Sequence, residues 1–290
     1  MSDDHIFSTE ISFESRTLSL PSEDITPTSH NALVSSNKYG LLFVVMSTTL
    51  YILDIPELEI SKEFKAQEVV PLPEAMLGIT ISFDELKLLC YSQHNIYVFD
   101  IPTIVSKNSS KECQRRFPHG LSLLLCKISK HLSYDIVYMD EQFNVHTRVN
   151  SLGTSPESYS KQFKGCMDID WSPYSNSLAL VQHTSIVILS RELTQLYSIQ
   201  EYSIDTVSHF NFIHWASSSS LQCDYLLLGC QCIIPSESED EDDELFVSLV
   251  ALLIENNTKV TQLSYFEDVC QDMKLIDLPQ KFLLASMPET

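Results

Sequence analysis

Short apolar runs separated by turn residues recur along most of this chain, and this pattern favours folds made of small stacked sheets. The first unit, residues 31–54, has apolar runs at Leu33-Val34, Leu41–Met46 and Leu50–Leu53 with turn residues between them. Apolar runs of about four to eight residues between turns are typical of strands that are covered on both faces. The unit therefore predicts three strands of one small antiparallel sheet.

The same unit repeats along the chain. We predict further sets of strands at 77–101, 121–148, 166–189 and 210–254, and two strands of another set at 273–285. The central strands align at Phe43, Leu89, Val137, Ala179, Leu227 and Leu283, with spacings of 46, 48, 42, 48 and 56 residues. A repeat of about 40 to 50 residues with several short strands per unit is typical of β-propeller blades. Stacking such sheets in a ring buries both of their apolar faces.

These units predict an all-β fold, a β-propeller of WD40-like blades, with about five and a half blades in a single domain over residues 1–290. The polar residues 235–244 lengthen the fifth unit and are interpreted as a loop insertion. Because the sixth unit has only two strands, we expect a propeller that is incomplete at its C-terminal end or that closes in another way. Residues 6–20 predict an additional N-terminal strand. Residues 190–197, the best helix candidate, are interpreted as a connection between blades.

Acidic residues outnumber basic residues 39 to 18, which gives a formal net charge of -21. Such a surface repels phosphate backbones, so we expect no direct binding of nucleic acid. A basic protein is the favoured partner, because opposite charges speed association. No apolar run reaches the length of about 20 residues that a membrane-spanning helix needs, so we expect no membrane insertion. Eight cysteines without a disulfide-type spacing predict a reduced, intracellular protein.

Several motifs of this chain are similar to those of one known family. The residues that carry the similarity are Leu33-Val34-Ser35, Asn37-Lys38-Tyr39-Gly40-Leu41, Phe43, Met167–Pro173, Ile213-His214-Trp215 and Phe282–Ser286. On these residues the chain resembles the N-terminal β-propeller of the CAN-type nucleoporin, which lies on the cytoplasmic filaments of the nuclear pore. The first motifs are the specific ones, because Trp-Ser-Pro recurs in many propellers.

The resemblance implies a seven-bladed propeller that recruits the DEAD-box RNA helicase of mRNA export. It implies docking on the basic RNA-binding face of that helicase, in competition with RNA, at the cytoplasmic side of the nuclear pore complex and the nuclear envelope. The family's helicase-contacting loops lie mainly in blades beyond this chain, so no contact residue is transferred. The 290 residues contain no Phe-Gly dipeptide. We therefore expect contacts with other nucleoporins only through segments that this chain lacks.

The strongest local feature is an acidic segment in the fifth unit, Ser236 to Glu244. The candidate partner-binding residues are Glu237, Glu239, Asp240, Glu241, Asp242, Asp243 and Glu244. Charge repulsion favours a solvated loop between two strands, and this is the usual role of a charge run. The functional alternative is electrostatic attraction of a basic partner. The sequence alone leaves both interpretations open.

The sequence predicts no catalytic residue, no cofactor and no metal site. Asp168 and Asp170 alternate on one predicted strand and therefore point the same way, but a turn-capping or channel-lining role is favoured over acid–base chemistry. His119 falls in a predicted turn and is interpreted as a surface residue. No zinc-type spacing occurs at Cys223, Cys230 and Cys232. We expect a non-enzymatic docking platform, and the alternative is another propeller scaffold or adaptor, in a trafficking or ubiquitin-ligase assembly.

Overall fold

The computed structural model describes residues 32–54, 66–106, 111–129, 134–173, 176–182, 185–199, 207–218, 223–234, 244–255, 259–268, 272–278 and 281–287. These residues form 22 strands and one short helix, joined by turns. The N-terminal strand predicted within residues 6–20 lies outside the described residues.

Strands that follow one another along the chain pair side by side into antiparallel sheets, and each sheet is one blade. The first three blades contain, in order, β1 (Leu33–Ser36), β2 (Leu41–Met46), β3 (Thr49–Asp54) and β4 (Ala66–Pro71); β5 (Met76–Ile81), β6 (Lys87–Ser92), β7 (Asn95–Asp100) and β8 (Arg115–Pro118); and β9 (Leu123–Ile128), β10 (Ile136–Asp140), β11 (Asn144–Val149) and β12 (Glu157–Gln162).

The fourth and fifth blades have the same arrangement, and a two-stranded sheet follows them. Their strands are β13 (Cys166–Trp171), β14 (Ser177–Gln182), β15 (Ser185–Ser190) and β16 (Gln195–Ile199); β17 (Val207–Ser218), β18 (Cys223–Ile234), β19 (Glu244–Glu255) and β20 (Lys259–Asp268); and, in the two-stranded sheet, β21 (Asp272–Leu278) and β22 (Lys281–Met287).

The first strands of successive blades lie side by side around the molecule. β1 lies beside β5, β5 beside β9, β9 beside β13, and β13 beside β17. β21 of the two-stranded sheet lies beside β1, so the first and last described sheets are neighbours. The blades therefore follow one another around an axis with their first strands innermost. The prediction of an all-β propeller with about five and a half blades is confirmed.

The second strands of blades 1, 2 and 4 are buried along almost their whole length, which explains their continuous apolar sequences. Every residue of β2 is buried, and so are the last five residues of β6 and the four central residues of β14. Burying one large apolar side chain contributes about 1.5–3 kcal/mol, so these strands supply much of the stability of the ring.

The residues aligned from the sequence occupy equivalent positions on these second strands. Leu89, for example, pairs with Thr80 on the first strand of its blade and with Val98 on the third. The same second-strand position holds Phe43, Val137, Ala179, Leu227 and Leu283. The repeat spacing read from the sequence is therefore the spacing of blades.

The apolar runs located three strands of each unit, and the first five blades each have a fourth, outer strand that gave no such run. The outer strand β12 is exposed along almost its whole length, and three of the four residues of β8 are exposed. An outer strand is held by backbone hydrogen bonds to one neighbour and needs few apolar side chains, so it gives no apolar run. Residues 190–197, interpreted as a connection, contain the end of β15 and the start of β16.

A short helix, α1 (Ile101–Val105), follows β7 directly, whereas the sequence predicted that the strand continues to residue 101. The Asp100 carboxylate begins the helix by accepting the Thr103 backbone N–H at 3.2 Å and the Thr103 hydroxyl at 2.6 Å. No helix in the described part of the chain has the length and apolar composition needed to span a membrane.

Each blade has two ends, and we call the end at which its second and third strands are joined the upper end. The fourth strand of one blade passes to the first strand of the next at this same end. Backbone hydrogen bonds join these connections: Leu72 N–H donates to Thr48 O at 2.8 Å, and Glu141 N–H donates to Ser122 O at 3.1 Å. The connection between blades 1 and 2 therefore contacts the upper turn of blade 1, and the connection between blades 2 and 3 contacts the upper turn of blade 3.

The turn that carries the family resemblance forms a contact at the opposite, lower end. Asn37–Gly40 connect β1 to β2, and Gly40 has a φ of 62°, a left-handed conformation that glycine adopts easily. The Lys38 backbone N–H donates to the Glu85 carboxylate at 2.7 Å, and the Ser36 hydroxyl donates to the same carboxylate oxygen. The turn thus joins blade 1 to blade 2.

Candidate docking surface at the upper end

The acidic segment predicted to bind a partner is attached at the upper end of blade 5. Ile234 at the end of β18 pairs with Glu244 at the start of β19. This connection joins the second and third strands of the blade, which defines the upper end. Glu244, which the sequence placed in the loop, begins a strand. The other candidate residues lie outside the described residues: Glu237, Glu239, Asp240, Glu241, Asp242 and Asp243.

Glu74 organises the polar groups at the upper end of blade 2. Its Oε1 accepts hydrogen bonds from the Ser92 hydroxyl at 2.7 Å, the Asn95 side-chain amide at 2.7 Å and the Tyr97 hydroxyl at 2.6 Å. Burial alone would raise the pKa of Glu74, but these hydrogen bonds outweigh burial and hold its pKa below the ordinary value. Burial and the contact with Glu74 raise the pKa of Tyr97 to about 12. Glu74 is therefore charged at neutral pH.

Arg116 on the outer strand β8 extends this cluster. Its Nε donates to Asn95 Oδ1 at 2.8 Å, and its guanidinium carbon lies 5.8 Å from the centre of the Tyr97 ring. A second arginine, Arg148 of β11, lies 4.9 Å from the centre of the Phe117 ring of β8. Cation–π contacts of this kind favour these positions of the guanidinium groups, and the contact between Arg148 and Phe117 joins blade 3 to blade 2.

Three stacked rings lie between blades 2 and 3. The His119 and Tyr138 ring centres are 5.9 Å apart, the Tyr138 and His146 ring centres are 4.8 Å apart, and His146 Nε2 lies 3.1 Å from Asp140 Oδ2. Burial lowers the pKa of His119. The interpretation of His119 as a surface residue is therefore only partly correct, because stacking against Tyr138 of the neighbouring blade half-buries its ring.

Asp168 and Asp170 point the same way, as predicted, and both reach the first strand of blade 5. Asp168 Oδ2 accepts the Ile213 backbone N–H at 3.0 Å, and Asp170 Oδ2 accepts the Trp215 backbone N–H at 2.7 Å. Both carboxylates are buried. The favoured turn-capping or channel-lining role is wrong: the carboxylates join β13 to β17, because alternate residues of one strand meet alternate N–H groups of the next.

Lys127 of β9 adds blade 3 to this contact. Its Nζ lies 2.8 Å from Asp168 Oδ1, with 17% and 12% of the two side chains exposed. Burial lowers the pKa of Lys127, but the carboxylates of Asp168 and Asp170 outweigh burial and raise the pKa above its ordinary value. His214 Nδ1 lies 3.6 Å from Asp170 Oδ2. These contacts thus connect three blades, and they account for the positions of both aspartates.

The residues that the structure describes contain no group of three or more His, Cys, Asp or Glu side chains arranged to hold a metal ion. The cysteines with described side chains, Cys90, Cys113, Cys126 and Cys166, are free thiols. Burial raises the pKa of the Cys90 and Cys126 thiols, so they stay protonated and unreactive at neutral pH.

Comparison with known proteins supports the architecture. No protein-family profile and no curated protein sequence matches the chain. The β-propeller domain of Cps50 (Swd1) from Myceliophteria thermophila is similar, with a TM-score of 0.57 and 10% identity over 87% of this chain and 77% of that chain. Hydrazine synthase from Kuenenia stuttgartiensis is similar with a TM-score of 0.59 and 12% identity over 83% of this chain and 66% of that chain. At these identities the similarity shows the fold alone: the chain is a β-propeller.

Proposed function

We propose that this chain is a non-enzymatic platform that docks a basic protein. The observation that carries the proposal is the attachment of the acidic segment to the paired strand ends Ile234 and Glu244, at the upper end of a ring of blades. Dense negative charge at one end of a scaffold attracts a basic surface and orients it during encounter. The net charge of -21 supports a basic protein and disfavours nucleic acid as the direct ligand.

The partner we propose is the DEAD-box RNA helicase of mRNA export, at the cytoplasmic side of the nuclear pore complex. Two observations support this choice. The motif around Asn37–Gly40 resembles that of a nucleoporin propeller, and the acidic segment complements the basic RNA-binding face that the resemblance implies for the helicase. Binding of the propeller and of RNA to one basic face would be mutually exclusive.

The test measures binding of the full chain to the helicase in its ATP-bound and nucleotide-free forms. The matched variant replaces the acidic residues at 237–243 by Gln or Asn, which keeps side-chain size and removes charge. Affinity is expected to fall at least tenfold in this variant, to weaken as salt is raised, and to be lost when RNA occupies the helicase. Equal affinity of the two chains would contradict the proposal.

Another propeller scaffold or adaptor, in a trafficking or ubiquitin-ligase assembly, is the second candidate. The similarity to the Swd1 propeller favours it as much as it favours a nucleoporin, because that similarity concerns the fold alone. The same experiment separates the two. If the helicase binds in neither nucleotide state while a lysine-rich peptide binds through the acidic segment, the docking role stands and the helicase assignment is wrong.

A further inference from the structure

The first strands of blades 2 to 5 carry a β-bulge at the same place. At each bulge the first strand has one extra residue, which lies opposite two consecutive residues of the second strand. Those two residues occupy the equivalent position of the second strand in all four blades. In blade 2 the extra residue lies opposite Tyr91 and Ser92, and in blade 4 it lies opposite Val181 and Gln182. The extra residues are Leu77, Leu124, Met167 and Asn211.

A bulge turns a side chain away from the direction that regular alternation would give it. Leu124 is 43% exposed and Met167 is 37% exposed, although they lie on inner strands whose other apolar residues are mostly buried. Leu77 is partly buried against the core between blades 2 and 3. Exposed single apolar residues are common on proteins. Here, however, two exposed apolar residues, Leu124 and Met167, occupy the equivalent bulge of neighbouring inner strands, so the bulge itself accounts for their exposure.

The bulges lie at the upper end of the blades, which is also the end at which the acidic segment is attached. First strands begin at the upper end, and the bulge is the second residue of β5, β9 and β13. Leu124 and Met167 therefore lie near the upper rim of the ring formed by the first strands. The acidic segment is attached at this same end, through Ile234 and Glu244. Leu124 and Met167 thus lie at the end of the ring at which the acidic segment is attached.

We propose that Leu124 and Met167 form an apolar anchor site at the upper rim, and that its occupant is a peptide segment with a large apolar side chain flanked by Lys or Arg. The apolar side chain packs on the two bulge residues, and the net charge of -21 on the chain attracts the basic residues. This inference rests on the proposed function for the charge of the partner and adds where its apolar contact lies. Charge complementarity selects a basic peptide over a second copy of this strongly acidic chain.

The test uses the full chain and a fluorescent synthetic peptide with one central Leu between Lys residues. The site variant is Leu124→Ser/Met167→Ser, with each single substitution made separately in case the double variant does not fold. The chain supplies matched controls: Phe83 at the lower end and Leu196 on an outer strand are each 54% exposed, and Phe83→Ser and Leu196→Ser remove similar apolar surface elsewhere. Thermal unfolding of every variant checks the fold.

The wild-type chain is expected to bind the peptide, and the double variant to bind it at least tenfold more weakly. This loss is what removing two partly buried side chains predicts. The controls are expected to stay within twofold, and a peptide with Ser in place of Leu to bind as weakly as the double variant does. Unchanged affinity of the double variant, or equal losses in the controls, would overturn the anchor site.

Two further measurements keep this inference distinct from the docking function. If neutralising residues 237–243 abolishes peptide binding and the double variant does not, charge-driven docking survives and the anchor is refuted. If the helicase fails to bind but the peptide depends on Leu124 and Met167, the anchor stands and the helicase is the wrong partner. Dimerisation or vesicle binding that is lost with Leu124→Ser, without peptide binding, would also refute the proposed occupant.

Discussion

Replacing Asp168 tests how strongly the blades depend on one another. Its carboxylate accepts the Ile213 N–H at 3.0 Å and pairs with Lys127 Nζ at 2.8 Å, and both side chains of the pair are mostly buried. Asp168→Ala leaves a buried N–H without its acceptor, at a cost of about 1–3 kcal/mol, and an ammonium group without its nearest partner. Breaking a buried pair by removing one member costs about 3–5 kcal/mol, and we expect a total in that range.

Two related variants separate the parts of this loss. Asp168→Asn keeps an acceptor for the Ile213 N–H and loses only the charge, so it is expected to cost about 1–2 kcal/mol. Lys127→Met combined with Asp168→Ala removes both charges, so the double variant is expected to be more stable than the sum of the single effects predicts, by about 1–3 kcal/mol. Glu141→Ala, which removes one exposed acidic residue, is the control and is expected to change stability by less than about 0.5 kcal/mol.

Urea unfolding followed by tryptophan fluorescence suits this measurement. The chain has two tryptophans, Trp171 and Trp215, and they lie on the two strands that the carboxylates join. Both are buried, so their emission shifts to longer wavelength when the contact opens. A free energy of unfolding for Asp168→Ala within about 0.5 kcal/mol of the wild-type value would refute the assignment of this contact as an important link between blades.

Three other predictions follow from the ionisable groups. Glu74→Gln is expected to lower the free energy of unfolding at pH 7 by about 1–2 kcal/mol and to make it less sensitive to acid, because a lowered pKa gives stability that is lost as pH falls below about 4.3. Tyr97→Phe is expected to remove a late component of the tyrosinate absorbance titration and part of the stability loss between pH 10 and about 12, since the raised pKa gives stability that disappears as pH rises. Under native conditions Cys113, half-buried, is expected to alkylate faster than Cys90 and Cys126, as peptide mass spectrometry would show; equal rates would contradict their burial.

The apolar runs of the sequence correctly predicted the strands that are buried on both faces. The run Leu41–Met46 is a strand with those bounds, because every one of its side chains is covered. The outer strand Glu157–Gln162 could not be found in this way, since backbone pairing to a single neighbour holds a polar sequence equally well. The five-residue helix at Ile101–Val105 was missed because its two buried isoleucines continue the apolar pattern of the preceding strand.

The charge of the candidate surface could be predicted, whereas its apolar part could not. Acidic residues at 237–244 are visible in the sequence because charge runs need no structural context. The exposure of Leu124 and Met167 is set by a register shift between two strands, and neither strand alone shows it. Side chains alternate between the two faces of a strand, so the sequence correctly predicted that Asp168 and Asp170 point the same way. Their N–H donors lie 45 residues later on another blade, beyond any local pattern.

The link between Asp170 and Trp215 also fixes an order of events during synthesis. The carboxylates of blade 4 leave the ribosome before the N–H groups of blade 5 that they bind, because each acceptor precedes its donor by 45 residues. Until those donors emerge, the growing edge of the nascent protein displays both carboxylates to water, with Lys127 of blade 3 already present as the ion-pair partner of Asp168. A charged carboxylate such as that of Asp170 on an unpaired edge disfavours pairing with the same edge of another chain, because like charges repel.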